Sequence, residues 1–151
     1  MNTLRLFAVA LVTLAWAGLA QAADGLITVK SSYSVPATAD KLVATLEERG
    51  MTVMNRIDHA AGAESVDSYL RPTQLVIFGN PKVGTPLMRC AQSVAADLPQ
   101  KALIWEDEDG QVWLGYNDPA YLKARHGIEG CDEVLAKING ALAGFAEAAT
   151  R

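Results

Sequence analysis

Apolar positions recur along this chain with two periods, and each switch between them marks an element boundary. From Leu26 to Tyr33 the period is two, with Ile27, Val29 and Ser31 on one side and Thr28, Lys30 and Ser32 on the other, which predicts a first strand. Ser34 or Val35 then opens a helix with Pro36 in its first turn. Its stripe is Ala39, Leu42, Val43 and Leu46, its wet side is Glu47, Glu48 and Arg49, and Gly50 ends it. Met51 to Ile57 predicts a second strand. Val66 to Leu70 reads as a short strand or an irregular approach to Arg71-Pro72. Ala102 to Glu106 and Gln111 to Tyr116 flank an acidic turn ending in Asp109-Gly110, a strong hairpin signal. Asn117-Asp118-Pro119 opens a short helix to His126, burying Tyr121 or Leu122 and ending at Gly127. The last helix, from about Cys131 to Ala148, carries Leu135, Ile138, Leu142 and Phe145 on one stripe. Gly140 and Gly144 inside it each cost roughly 1 kcal/mol against Ala, so something is expected to pack closely there, the sheet or another subunit.

The stretch from Leu75 to Met88 is the expected centre of the fold. Leu75 to Phe78 is a buried-strand run closed by Gly79, and Asn80 before Pro81 is pushed away from helical backbone. Gly84 can take positive φ, Thr85 suits an N-cap and Pro86 suits the first helical position. The helix then buries Leu87, Ala91, Val94 and Leu98, and Leu98-Pro99 closes it. Such a loop presents free N–H groups and a helix dipole, with Lys82 beside them, so Asn80, Pro81 and Lys82 are candidates for holding a small anion or carboxylate. Turn chemistry alone also accounts for every residue here, and that reading is preferred. The spacing is not that of a Walker A loop.

Met1 to Ala22 changes the picture of where the chain works. Arg5, the apolar run Leu6 to Leu19 and the small residues around Ala20-Gln21-Ala22 predict a secretory signal with a mature start at Ala23. An uncleaved anchor is the lesser alternative, because the apolar run is short for a span. The expected mature chain is one domain, periplasmic or secreted, without a stable membrane anchor. The full chain of 151 residues has a formal charge of −4 and no basic cluster, which argues against nucleic acid as a partner. In an oxidising compartment, Cys90 and Cys131 most simply form one disulfide.

The assembled order resembles the domain-of-unknown-function 302 family. The resemblance is carried by Ile57-Asp58-His59, Pro72-Thr73, Phe78-Gly79-Asn80-Pro81, Gly84-Thr85 and Leu87-Met88 in the first part of the chain. It continues through Leu98-Pro99, Trp105-Glu106-Asp107, Gly110, Tyr116-Asn117-Asp118-Pro119 and Arg125-His126. It implies an α+β fold of two layers, a curved and mostly antiparallel sheet with helices on one face, similar to the TATA-box-binding-protein-like class. The signal and the cysteine pair resemble features of an exported subgroup. No reaction is implied. The residue patterns point to the same α+β arrangement.

Three functions fit these features. Preferred is binding of a small ligand or metal at the element ends, with His59, Asn80, Pro81, Lys82, Glu106, Tyr116, Asn117 and His126 as candidates. A metal would need carboxylate help from Asp58 or Glu106, since the chain has only two histidines. The second is envelope interaction or assembly, as a homodimer, through the last helix or a sheet face bearing Trp105 or Trp113. The third is a hydrolase with His59 or His126 as base. Ser65 and Ser68 lie near His59 but in no Gly-x-Ser-x-Gly elbow, and an oxidised Cys90 is no nucleophile. No catalytic residue and no cofactor is assigned.

Overall fold

The stretches of period two form one sheet, and the stretches of period 3.6 cover it. In the computed structural model residues 24–151 are described, so the expected signal and its cleavage site lie outside the described residues. The elements run β1 (Leu26–Ser31), α1 (Val35–Glu48), β2 (Thr52–Asp58), α2 (His59–Glu64), β3 (Thr73–Gly79) and α3 (Pro81–Cys90). After a short 3₁₀ helix (Gln92–Ala96) come β4 (Gln100–Glu106), β5 (Val112–Asn117), α4 (Pro119–His126) and α5 (Asp132–Thr150). The five strands lie in the order β1-β5-β4-β3-β2, every neighbouring pair antiparallel. The fold is the expected α+β arrangement.

Alternation along the central strands decides which face is hidden. In β3, Gln74, Val76 and Phe78 are buried, and in β4 so are Gln100, Ala102 and Ile104. These side chains meet Leu42 and Leu46 of α1 and Leu142 and Phe145 of α5 in one core. Phe78 and Phe145 meet edge to face at 6.1 Å. Each fully buried Leu, Ile or Phe here contributes roughly 1.5–3 kcal/mol of transfer free energy. The opposite face carries Leu75, Ile77, Leu103, Trp105 and Trp113, all half-buried. Trp105 and Trp113 are register partners and therefore share that face.

Helix starts follow one local rule. A side-chain oxygen just before the helix accepts an N–H of the first turn: Ser34 from Ala37, Asp58 from Ala61 and Asp118 from Ala120. The same rule corrects the expected start of α3. Asn80 Oδ1 accepts the Lys82 N–H at 2.9 Å and Pro81 takes the first helical position, so α3 begins at Pro81 rather than Pro86. Pro86 lies inside the helix, where it offers no N–H to the Lys82 carbonyl. Gly84 is a helical residue and not a positive-φ one. The helix also stops early. Ala91 is extended (φ −151°, ψ 105°), which separates α3 from the 3₁₀ helix that buries Val94.

Residues 66–70 form no strand, because their apolar side chains face outward: Val66 is 72% and Tyr69 84% exposed. Of the two glycines of α5, only Gly144 answers to close packing. A Cβ there would stand 3.0 Å from Arg49 Nη1, whereas at Gly140 nothing lies within 4 Å among the described residues. The close neighbour is thus the end of α1, whose Arg49 guanidinium also lies 5.5 Å from the Phe145 ring centre.

Cys90 and Cys131 are joined by a disulfide that ties the end of α3 to the N-cap of α5. The loop it closes has a sequence separation of 41 residues. Loop-closure entropy then predicts that Cys90→Ala/Cys131→Ala loses up to about 4 kcal/mol against the oxidised protein. Urea midpoints of the two proteins check this. Equal midpoints would show that the unfolded chain gains nothing from the cross-link.

Candidate functional site

One cavity stands out, at the end of the sheet where β3 leaves and β4 enters. Its volume is about 480 Å³, within the roughly 300–1,000 Å³ of small-molecule sites. The sheet supplies Phe78, Gly79 and Gln100, α3 supplies Gly84 and Met88, and α5 supplies Ile138, Ala141 and Phe145. Met51 and Met54 close the β2 side. The cavity lies between α3, α5 and this end of the sheet, and no residue of α1 lines it. At Gly84 a Cβ would stand 3.7 Å from Leu98, an ordinary contact, so the lining there tolerates a small side chain. The mouth is apolar, with Met54 51% and Val83 38% exposed. Among the described residues Lys137 is the single cation lining it.

Gln100 is the unusual member of the lining. It occupies a buried position of β4, 7% exposed, in register with Phe78. Neither Nε2 nor Oε1 has a hydrogen-bond partner among the described residues. Gln74 is the counterexample on the same sheet face, 8% exposed. Its Oε1 accepts from Arg56 Nε at 2.9 Å, and its Nε2 donates to Asp58 Oδ2 at 3.0 Å. Arg56 in turn donates to Asp40 at 2.5 Å. Asp58 is held below the ordinary carboxylate range by the Ala61 N–H above all, with the Gln74 amide adding to it against the opposing effect of burial.

A second cluster lies beside the cavity, on the far side of the 3₁₀ helix. His126, at the end of α4, places Nε2 2.5 Å from Asp97 Oδ2 and Nδ1 3.1 Å from Ser93 Oγ. Arg125 Nη1 reaches Asp97 Oδ1 at 3.4 Å. With the Nε2 proton donated to the carboxylate, Nδ1 accepts the Ser93 hydroxyl. The residue types are those of a hydrolytic triad, with the two ring nitrogens exchanged relative to the usual roles. The His126 side chain is only 7% exposed and clamps α4 to the 3₁₀ helix, while Ser93 lines neither this cavity nor the shallow groove along Thr85, Arg89 and Gln92.

The candidates read from the sequence are only partly brought together. Asn80 and Pro81 line the cavity. The Asn80 side chain is occupied in bracing, its Oδ1 on Lys82 N–H and its Nδ2 on the Gly50 carbonyl at 3.3 Å. Lys82 is exposed and does not line the cavity. Tyr116 and Asn117 end β5, two strands from β3; Tyr116 is 4% exposed, and burial together with the Asp118 charge raises its phenol. His59 and Glu106 sit at the opposite end of the sheet, since β2 ends opposite Gln74 and β4 ends beside Val112. His59 and His126 therefore share no cleft. Asp107 acts within its own hairpin, where its carboxylate accepts the Trp113 indole N–H at 2.7 Å, which holds it below the usual range. Among the described residues no group of three or more His, Cys, Asp or Glu is placed to hold a metal.

Met51, Met54, Gln100 and Lys137 are site residues that the sequence patterns do not single out. Gln100 alone carries a legible signal, a polar residue in phase with buried Ala102 and Ile104. Starting that strand at Ala102 conceals it.

Comparison with known proteins adds a family. The family described as domain of unknown function DUF302 matches residues 27–145. A crystal structure of an uncharacterized conserved DUF302 protein from Bacillus stearothermophilus superposes with a TM-score of 0.75 at 20% identity, covering 85% of this chain and all of that one. A fluoride-specific ion channel, FluC 1, of Brucella suis biovar 1 is 46% identical over 114 residues, 76% of this chain and 45% of that protein. FluC 2 of Brucella melitensis biotype 1 is also 46% identical, over 42% of its length. The chain spans less than half the length of these curated relatives.

The two buried glutamines predict opposite outcomes. Gln74→Leu leaves Asp58 and Arg56 without their bridge and loses about 1–3 kcal/mol, whereas Gln100→Met removes an unpartnered carboxamide and raises stability. Urea midpoints of both variants check this, and a destabilised Gln100→Met protein would mean that the carboxamide is satisfied in the folded chain. Asp58 has a folded-state pKa below its unfolded value, so its stabilisation is present above the unfolded pKa and is lost as pH falls through the folded one. Asp58→Asn is expected to flatten the acid limb of the stability profile and to leave its neutral slope unchanged, as read by thermal unfolding between neutral and acid pH.

Proposed function

This chain belongs to the DUF302 family, and we propose that it is a binding module that holds a small, largely apolar molecule in the cavity between α3, α5 and the sheet. The observation that carries the reading is the cavity itself: a pocket of about 480 Å³ with an apolar mouth, lined by methionine, leucine and phenylalanine side chains. Methionine is unbranched and polarisable and adapts to irregular apolar shapes. A filled cavity of this kind excludes water from surface that otherwise stays exposed, which supplies the driving force.

The relatives' names speak of fluoride, but a small hard anion needs several converging donors, and this lining is mostly thioether and hydrocarbon, with Lys137 at the rim. We read the module as working outside the cytoplasm. The Cys90–Cys131 disulfide and the expected signal at Met1 to Ala22 support that placement. Assembly through the uncovered sheet face around Leu103 and Trp105 is the interaction counterpart of this reading, and sedimentation of the oxidised protein reads it directly.

The Ser93–His126–Asp97 arrangement favours a second function, ester hydrolysis. Ser93 Oγ would add to the acyl carbon as its proton passes to His126 Nδ1, the alkoxide would leave with that proton, and water would release the acyl group. Binding ranks first because Ser93 lines neither the cavity nor the groove beside it.

The binding reading predicts that N-phenyl-1-naphthylamine, an apolar dye, brightens saturably on the purified chain and that Ala141→Trp, which fills the mouth, abolishes the signal. Equal dye response in both proteins would remove the cavity from the account. The hydrolytic reading predicts a fluorophosphonate adduct on intact mass that Ser93→Ala eliminates; an unmodified wild-type mass ends it.

A further inference from the structure

We infer that the molecule held in the cavity is a single-chain amphiphile with an anionic head, a carboxylate on one hydrocarbon chain, and that Lys137 at the mouth receives that head. The inference rests on the binding reading above and gives it a ligand class.

The distribution of unpartnered cations carries the argument. The sequence has 13 lysines and arginines, and all but Arg5 fall among the described residues. Arg56, Arg71, Lys123, Arg125 and Arg151 pair with carboxylates. Lys30, Lys41 and Arg49 lie over aromatic rings, and Lys101 donates to two backbone carbonyls. Among the described residues the side chains of Lys82, Arg89 and Lys137 have no such partner, and all three belong to α3 and α5, the helices that wall the cavity. Acids are not scarce, since the chain has 17 of them, yet among the described residues none lines the cavity or the groove beside it. A solvated lysine needs no partner, so placement decides. Lys137 is exposed and lines the cavity. Arg89 lines the shallow groove, which shares Thr85, Met88 and Ala95 with the cavity and so continues it outward. The Cys90–Cys131 disulfide ties together the two helices that carry these cations.

The wall behind this mouth sorts the ligand. The chain has four methionines, and apart from Met1 all of them, Met51, Met54 and Met88, line this one cavity. With Leu98, Phe78 and Phe145 they form a compliant apolar wall that does not specify a shape. A charged head does not enter such a wall, because it would lose its water without compensation. It stays at the mouth, where a lysine keeps its ammonium in water while its stem lies on apolar surface. An anionic head meets an opposite charge there, and a cationic head meets only like charge. The volume of about 480 Å³ lies in the lower half of the roughly 300–1,000 Å³ of small-molecule sites, which suits one chain rather than the two of a membrane lipid.

The same three methionines make the test direct. The disulfide-intact chain, labelled with ¹³C at the methionine methyls, is titrated at neutral pH and low salt with decanoate and with decylammonium, which share a body and differ in the sign of the head. Decanoate is expected to shift the methyl signals of Met51, Met54 and Met88 saturably and to bind at least about fivefold more tightly than decylammonium, the scale of one exposed charge pair gained against one charge repelled. Added salt is expected to shrink that ratio. Lys137→Glu, at an exposed position, is expected to reverse the preference, and Lys82→Glu, the same change of charge off the cavity wall, to alter it less. Equal affinities in the wild type, with the same three signals shifting, would overturn the anionic head while leaving the cavity as a binding site. A preference for decanoate that Lys137→Glu leaves unchanged, or that Lys82→Glu alters as much, would overturn the role of Lys137. No methionine shift with either ligand would end the binding reading and this inference together.

Discussion

The need to hide one face of a five-stranded sheet governs this protein. Antiparallel pairing satisfies the backbone groups between strands, but it leaves two faces, and only one of them lies under α1 and α5. The covering is dense over Val76, Ile104 and Leu114, all at most 1% exposed. It thins at the corner where β3 passes into α3. There the Asn80-Pro81 start turns the chain sharply, α3 crosses the corner instead of lying flat on it, and space remains. The cavity is thus the space left between α3, α5 and the end of the sheet.

Polar residues on the hidden face show how strictly the layer is otherwise satisfied. Ser31 and Thr38 bond each other at 2.6 Å where β1 meets α1, and Thr150 returns its hydroxyl to the Ala146 carbonyl. Gln74 is held from two sides by a charged pair. Against these, an unanswered carboxamide at one edge of the cavity is a local departure from a rule the rest of the face obeys. Departures of that kind, where stability is sacrificed without local compensation, are where function is most economically sought.

Much of the fold was legible because local chemistry and global packing agree. Ser34, Asp118 and Gly127 place helix ends that tertiary contacts then confirm, and the alternation around Ile104 and Leu114 names the buried face. The misreading of α3 came from two proline-based starts within six residues, Asn80-Pro81 and Thr85-Pro86. Both fit as caps, and only the sheet geometry shows that the earlier one is used. The break at Ala91 was hidden because Leu87, Ala91, Val94 and Leu98 keep helical spacing across it. The site was harder to read than the fold. His59 and Glu106 lie at element ends that look equivalent along the chain, yet strand order sends them to the far end of the sheet. Met51, Met88 and Lys137 come from the turn before β2, from α3 and from α5, and no spacing in the sequence relates them.

The methionine wall has a consequence for how such a protein can change over generations. Exchanges among Met, Leu and Ile conserve volume and cost little, usually under about 1.5 kcal/mol. Residues 51, 54 and 88 can therefore drift while the cavity keeps its character. Gln74, held through two directed atoms, has no such neighbours in chemical space: Glu carries a charge into a buried position, and Asn is a methylene short. The lineage is then free along the methionine lining of the cavity and pinned on the same sheet face at Gln74, so change is expected to gather in the wall and to spare the polar bridge beside it.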